Sequence, residues 1–273
     1  MRRVLGTRPP VIVRAVTAQS FFELDSIDFD YEPFPIGLAR PLMAPAVYKD
    51  LVDAFPPIER LTHYDVLGRP GSKYTLSERE QPDAYREFVR HHPVWRDFHA
   101  WVKSDGFIDH VLASLTAQHI DLGFRRRTRA RRAFRNVRAL ARGGISPRDA
   151  RLRTRFEFSA LPADGGMLLP HTDAPSKIVT LVVSMLRGGE WNPAWGGGLD
   201  VCRPKDIRRF GFNWLNELAE FADMEVVRTF PFEPNQAIVF VKTYDSWHAV
   251  RPMTGAGSKD LRRTLTIVIE TPT

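Results

Sequence analysis

The second half of the chain carries short apolar runs whose residues favour strands. Seven such runs are predicted, at 155–161, 167–170, 177–185, 199–203, 224–231, 237–242 and 261–270. Turn-forming segments such as Ala-Asp-Gly-Gly and Glu-Pro-Asn separate them. Because no helical pattern recurs between the runs, they predict a β-sandwich or barrel rather than a parallel α/β sheet.

The first half of the chain shows helical spacing instead. Apolar residues recur at helical intervals over 45–55, where two prolines end the pattern, and two further helices are predicted within 82–119. The region 58–85 is rich in polar and turn-forming residues and predicts a long surface loop or flap. We therefore expect a single domain over 1–273, with a helical, arginine-rich front (1–154) that braces a β core (155–273).

Composition narrows the class of protein. The chain has 273 residues, of which 43% are hydrophobic, and this is enough to bury one substantial core. Cys202 is the only cysteine, so no intramolecular disulfide can form. No run approaches the ~20 apolar residues of a membrane helix, and the N-terminal stretch lacks the continuous apolar segment of a signal peptide. We expect a cytoplasmic protein without a membrane span.

The positive charge is concentrated in one segment. The formal net charge is +7, and arginines crowd the block from Arg125 to Arg155. Two interpretations stay open: a solvated helix face, or a site for an anionic substrate. Phe134 is the only aromatic residue in the block, so nucleic acid, which stacks on aromatic side chains, is the least favoured anionic partner.

A candidate metal site comes from three residues. His171 and Asp173 lie two positions apart at the end of a predicted strand, so both side chains point to one face. His248 follows a later apolar strand at 238–241. Two histidines and one carboxylate form the facial triad of non-haem iron(II) oxygenases, which leaves positions open for a chelating co-substrate and O2. A surface turn would explain the His-x-Asp segment alone, and the other six histidines are not expected to be ligands.

The last predicted strand offers a partner for a dicarboxylate. Arg262, Thr264 and Thr266 share one face of this strand, while Arg263 lies on the other. An arginine with a hydroxyl two residues further on can bind a carboxylate by charge-assisted hydrogen bonds. We assign this role to Arg262 and Thr264, with Arg263 as the alternative arginine.

The stretch 155–270 resembles the prolyl-4-hydroxylase-like branch of the 2-oxoglutarate and iron(II)-dependent oxygenases. The matching motifs, in order, are His171-Thr172-Asp173, Trp195-Gly196-Gly197, His248 and Arg262-Arg263-Thr264. The resemblance implies a double-stranded β-helix (jelly roll) with flanking helices. It also implies that the triad binds Fe(II), that 2-oxoglutarate reaches Arg262, and that O2 is the second co-substrate. Where some relatives bind 2-oxoglutarate with a tyrosine, this chain has Ser184, and Thr180 is another candidate.

The function implied is a dioxygenase that hydroxylates an unactivated C–H bond and releases succinate and CO2. Its substrate would be a small molecule, a glycan- or lipid-linked group, or a peptide side chain. Two alternatives on the same barrel remain: a cupin-like metal-dependent isomerase or epimerase that uses neither O2 nor 2-oxoglutarate, and a non-catalytic metal-binding module. Arg262 and Thr264 discriminate, because the isomerase or epimerase needs no dicarboxylate site.

Overall fold

The computed structural model describes residues 20–25, 27–65, 72–123 and 152–271. The strands are β1 (Asp28–Asp30), β2 (Ile36–Ala39), β3 (Thr62–Asp65), β4 (Ser72–Ser77), β5 (Arg153–Pro162), β6 (Leu168–His171), β7 (Lys177–Ser184), β8 (Leu199–Pro204), β9 (Met224–Phe230), β10 (Ala237–Val241), β11 (His248–Val250) and β12 (Leu261–Glu270). The α-helices are α1 (Pro45–Asp53), α2 (Pro82–His91), α3 (Pro93–Val102), α4 (Asp105–Ala117) and the single turn α5 (Ile207–Phe210).

The strands form two antiparallel sheets. The large sheet has eight strands in the order β1-β2-β10-β7-β12-β5-β4-β3, and the small sheet has four in the order β6-β11-β8-β9. A cavity is lined by residues of both sheets, among them Thr266 of the large sheet and Ala249 of the small one. The predicted fold class, a mainly β jelly roll with flanking helices, is confirmed.

The two faces of the large sheet have different partners because side chains alternate along each strand. On β12, Leu265 and Ile267 belong to the main core cluster with the helices, whereas Thr266 and Val268 line the cavity. The helices seal their face with aromatic residues. Trp95 of α3 is fully buried and meets the Phe158 ring edge-on at a centroid distance of 4.7 Å. Helix packing therefore leaves the opposite face of the sheet free to carry polar groups.

The first half of the chain departs from the prediction in three ways. It contains the strands β1 and β2, and β2 pairs with β10 of the large sheet. The region 58–85, expected as a loop or flap, contains β3 and β4, and β4 pairs with β5 at Thr75↔Ser159. This strand is rich in polar residues, so apolar alternation did not reveal it. The region 82–119 holds three helices rather than two. Pro93 begins α3 directly after the extended residue His92, and the Ser104 hydroxyl caps α4 by accepting a hydrogen bond from the Phe107 amide at 3.2 Å.

Two further expectations concern the surface. None of the described helices is long and apolar enough to cross a membrane. The arginine block lies outside the described residues over 124–151, so its proposed helix stays a prediction. Its last two members, Arg153 and Arg155, are described and lie on β5.

Candidate metal centre

Three side chains converge at the rim of the small sheet. His171 ends β6, Asp173 follows two residues later, and His248 begins β11 directly opposite His171 in the strand register. One ligand atom from each residue lies within 4.8 Å of the others. Within the described part of the chain this is the only such group of histidine, cysteine or acidic residues. The sequence-predicted triad is therefore assembled in space.

The hydrogen bonds of both imidazoles leave one nitrogen free for a metal. Nδ1 of His171 lies 2.8 Å from the Leu169 carbonyl, and Nδ1 of His248 lies 2.9 Å from the Ser246 carbonyl. A carbonyl only accepts hydrogen bonds, so Nδ1 is the protonated nitrogen in each ring. The unprotonated Nε2 of each ring then carries the lone pair that a metal ion needs.

The charges of the three groups suit a divalent cation. Burial, followed by the charge of His248, lowers the pKa of His171 to about 3, and burial also lowers the pKa of His248. Burial alone would raise the pKa of Asp173, but the charges of Lys177 and the two histidines outweigh it and hold the pKa below its ordinary value. At neutral pH the site therefore offers two neutral imidazoles and one carboxylate.

The Asp173 carboxylate is held by two neighbours. The Thr180 hydroxyl donates to Oδ2 at 3.0 Å, and the Lys177 ammonium donates to Oδ1. Oδ1 is also the oxygen that lies 3.7 Å from Nε2 of His171. Thr180, expected to contact 2-oxoglutarate, therefore orients a candidate metal ligand. Lys177, which the sequence analysis did not single out, places its positive charge at the oxygen that faces the other ligands.

A buried polar network fixes the residue between the first two ligands. The Thr172 hydroxyl donates to the Asn213 carbonyl at 2.8 Å and accepts from the Lys242 ammonium at 3.0 Å. The Ser246 hydroxyl donates to the Thr172 carbonyl at 3.2 Å. The Asn213 side chain in turn closes a loop by two hydrogen bonds to the Glu217 backbone, at 2.7 and 2.8 Å. Two separate loops therefore support the backbone of the His-x-Asp segment.

The triad opens into a cavity of about 280 Å³ between the two sheets. Arg262 and Thr264 line the same cavity, as do apolar residues such as Val182 and Phe240. The Thr264 hydroxyl lies 3.0 Å from the Ser159 hydroxyl, and both are buried. The face of β12 that the sequence predicted to carry the arginine and the hydroxyl is the face that lines the cavity.

Arg262 lacks an acidic partner. Its side chain is buried, its Nε donates to the Gly197 carbonyl, and its guanidinium lies 4.9 Å from the centre of the Phe232 ring. It forms no ion pair with any described carboxylate, and burial alone lowers its pKa to about 10. A buried cation without a counter-ion is unfavourable, so this cavity is electrostatically prepared for an anion.

The remaining predicted residues lie elsewhere. Arg263, the alternative arginine, points away from the cavity and pairs with Glu190 at 2.6 Å. Ser184 is buried on β7 opposite Thr264 in the strand register, but it is not among the residues that line the cavity. Its main-chain carbonyl accepts a hydrogen bond from the Tyr48 hydroxyl at 2.9 Å.

The Trp-Gly-Gly turn has a specific task that its sequence alone did not reveal. Gly197 adopts φ +84°, and a Cβ there would lie 3.1 Å from the Trp191 ring and 3.4 Å from Cδ of Arg262. Glycine therefore lets the turn bring its carbonyl against the guanidinium without backbone strain and without displacing the Trp191 ring. Trp191 braces the turn by donating from its indole nitrogen to the Gly196 carbonyl at 2.9 Å.

Comparison with known proteins gives similarity of structure without similarity of sequence. No family model matches the chain, and no curated protein sequence matches it. A prolyl-4-hydroxylase from Pseudomonas putida is 15% identical, with a TM-score of 0.41 over 87% of this chain and 92% of that one. A prolyl hydroxylase from Trichoplax adhaerens, in complex with a hypoxia-inducible factor peptide, is 8% identical, with a TM-score of 0.44 over 86% and 83%. The α-ketoglutarate-dependent epimerase SnoN from nogalamycin biosynthesis is 11% identical, with a TM-score of 0.44 over 87% and 77%.

Proposed function

We propose that the protein is an Fe(II)- and 2-oxoglutarate-dependent oxygenase, with His171, Asp173 and His248 as metal ligands. The observation that carries this proposal is Arg262, a buried guanidinium without an acidic partner in the cavity into which the triad opens. Such a cavity offers a site for a metal ion and a separate site for a carboxylate. 2-Oxoglutarate, with a chelating 2-oxo acid at one end and a carboxylate at the other, suits both.

Each residue has a physical task in this scheme. The two neutral imidazoles and the Asp173 carboxylate leave a net positive charge on a bound ferrous ion, which favours the anionic end of 2-oxoglutarate. Arg262 binds the distal carboxylate by charge-assisted hydrogen bonds, and the Thr264 hydroxyl donates a further one. Val182 and Phe240 keep water away from the cavity wall. When bound, iron, 2-oxoglutarate and O2 supply the oxidising chemistry, with release of succinate and CO2.

The outcome we propose is hydroxylation of an unactivated C–H bond. The substrate is a small molecule, a glycan- or lipid-linked group, or a peptide side chain that reaches the cavity. An isomerase that works without 2-oxoglutarate, or a passive metal-binding module, would have no use for the buried charge of Arg262, which opposes folding unless an anion compensates it. The oxygenase is therefore favoured over both alternatives.

The test is metal-dependent turnover of 2-oxoglutarate. The protein is loaded anaerobically with Fe(II) and 2-oxoglutarate, exposed to O2 with candidate substrates, and followed by succinate formation and substrate mass together. Each of His171→Ala, Asp173→Ala and His248→Ala should weaken metal binding and abolish succinate formation, while the fold survives. His91→Ala, which changes an exposed histidine on α2, is the matched control. Near-normal succinate formation by Asp173→Ala with bound iron would overturn the assignment.

A further inference from the structure

The cavity carries a second group of cations that the proposed function does not use. Lys73, Arg155 and Lys177 line it alongside Arg262, whereas Glu157 and the candidate ligand Asp173 are its only acidic lining residues among those described. The side chains of Arg155 and Lys177 are only 17% and 14% exposed. These charges are therefore part of the cavity wall rather than a solvated surface.

The acidic partners of this group become too few to neutralise it when a metal ion takes Asp173. Glu157 pairs with Lys73 at 2.7 Å and lies 3.9 Å from Arg155. Glu270, buried beside the cavity, pairs with Arg153 at 3.1 Å and lies 3.7 Å from Arg155. Once a metal ion takes Asp173, two carboxylates remain for the three cavity cations Lys73, Arg155 and Lys177, and Glu270 is shared with Arg153. The carboxylate that pairs with Lys177 is Asp173, which would bind a metal ion at the triad.

Arg155 has unused hydrogen-bonding capacity. Both of its acidic neighbours lie beyond hydrogen-bond distance, and its buried Nε has no hydrogen-bond partner in the described chain. An arginine offers five N–H donors, and a buried donor without an acceptor costs free energy. A bound oxyanion would supply the missing acceptors.

We propose that Arg155 and Lys177, supported by Lys73, bind a carboxylate or phosphate group of the prime substrate, and that metal binding opens this site by taking Asp173 from Lys177. The inference rests on the proposed function and names the substrate class for it. In the metal-free protein, the Lys177 ammonium neutralises Asp173. A divalent ion at the triad replaces that interaction, so Lys177 then faces the cavity without its partner. The substrate is thus an organic anion that binds after the metal.

The experiment uses sulfate as the probe, because its double negative charge does not change near neutral pH. Binding is measured by calorimetry on protein loaded with Zn²⁺ and 2-oxoglutarate, and on metal-free protein at saturating 2-oxoglutarate, so that Arg262 is occupied in both. Zn²⁺ holds the metal site without redox chemistry. We expect the loaded wild type to bind sulfate at least tenfold more tightly than the metal-free protein. Methyl phosphate and acetate, titrated in parallel, then distinguish a phosphate from a carboxylate preference.

Variants at two positions locate the site. Lys177→Met and Arg155→Met should each weaken sulfate binding by at least tenfold in the loaded protein. Arg155→Lys keeps the charge, so it should lose less affinity than Arg155→Met, and it replaces that variant if Arg155→Met does not fold. Arg153→Gln is the matched control, because Arg153 pairs with the same Glu270 but does not line the cavity. Its affinity for sulfate should not change.

The outcomes separate this inference from the proposed function. If Zn²⁺ and 2-oxoglutarate bind normally but sulfate does not, or if Lys177→Met binds sulfate as the wild type does, the inference is wrong and the proposed function stands. Equal sulfate affinity with and without Zn²⁺ also overturns it. If neither Zn²⁺ nor 2-oxoglutarate binds, both proposals fail.

Discussion

Replacing Arg262 with methionine should have opposite effects on folding and on binding. Burial lowers the pKa of this arginine to about 10, from an ordinary value above ~12. At ~1.4 kcal/mol for each pKa unit, the folded state carries the charge at a cost of about 3 kcal/mol. Methionine has a similar shape and removes that cost.

The same substitution also removes favourable contacts. The hydrogen bond from Nε to the Gly197 carbonyl is lost, at about 1 kcal/mol, and the contact with the Phe232 ring is lost, at up to about 1 kcal/mol. The balance is a metal-free protein about 1 to 2 kcal/mol more stable than the wild type. A purely structural arginine would instead cost stability when it is removed.

Binding should fall sharply in the same variant. Removal of one partner from a buried charge pair costs ~2 to 5 kcal/mol, which corresponds to at least ~30-fold in affinity. Urea denaturation of the metal-free protein gives the stability, and calorimetric titration of the Zn²⁺-loaded protein gives the 2-oxoglutarate affinity. Arg263→Met is the control, because this neighbour pairs with Glu190 outside the cavity. An Arg262→Met protein that loses several kcal/mol of stability and binds 2-oxoglutarate normally would show that the arginine is structural.

Three further predictions follow from the site. The metal-free protein should lose stability as the pH falls below ~6.5, the ordinary pKa of histidine, because the pKa of His171 is about 3 in the fold; the loss at pH 5 is about 2 kcal/mol by linkage. In urea denaturation at several pH values, a double variant with glutamine at His171 and His248 should lack this loss of stability at low pH. If the variant loses stability as the wild type does, other groups cause the pH dependence. Lys177→Met should bind Zn²⁺ about tenfold more tightly in competition with a chromophoric chelator, since it removes a cation from Asp173; unchanged affinity would show that Lys177 does not compete. Gly197→Ala should lower the affinity for 2-oxoglutarate. Gly196→Ala shares the positive φ but has nothing near its Cβ, so it should lower only the stability, by ~1 to 3 kcal/mol. Equal effects of the two variants on 2-oxoglutarate affinity would contradict the role given to the Gly197 carbonyl.

His171 and Asp173 were predictable from a local pattern, whereas the apposition of His248 to His171 depends on the pairing of β11 with β6. His171 and Asp173 lie two apart on extended chain, and the strand leading to His248 is continuously apolar. The face of β12 that carries Arg262 followed from alternation alone. The two-residue spacing of His171 and Asp173 and the alternation along β12 depend on local geometry, so they can be predicted from the sequence.

The missed features depend on contacts between distant segments. β3 and β4 are short and polar, and their strand character comes from pairing with β5 rather than from their own composition. Lys177 was assigned to a strand without a chemical role, because its contact with Asp173 requires the chain to turn back after the ligand. The positive φ of Asp173, +73°, is part of that turn. Pro175 signals a turn here, but the local sequence does not say that the returning strand brings the Lys177 side chain to Asp173.

The polar network around Thr172 has an optical consequence. Lys242, which donates to the Thr172 hydroxyl, also lies 5.5 Å from the centre of the Trp214 ring, and that indole is 45% exposed. A cation and solvent so close to an indole both shift its emission. Trp214 therefore reports on the backbone between two of the candidate ligands. We therefore predict that metal binding changes the Trp214 emission, and comparing metal titrations of the wild type and Trp214→Phe by fluorescence tests this; equal changes in both proteins would contradict it.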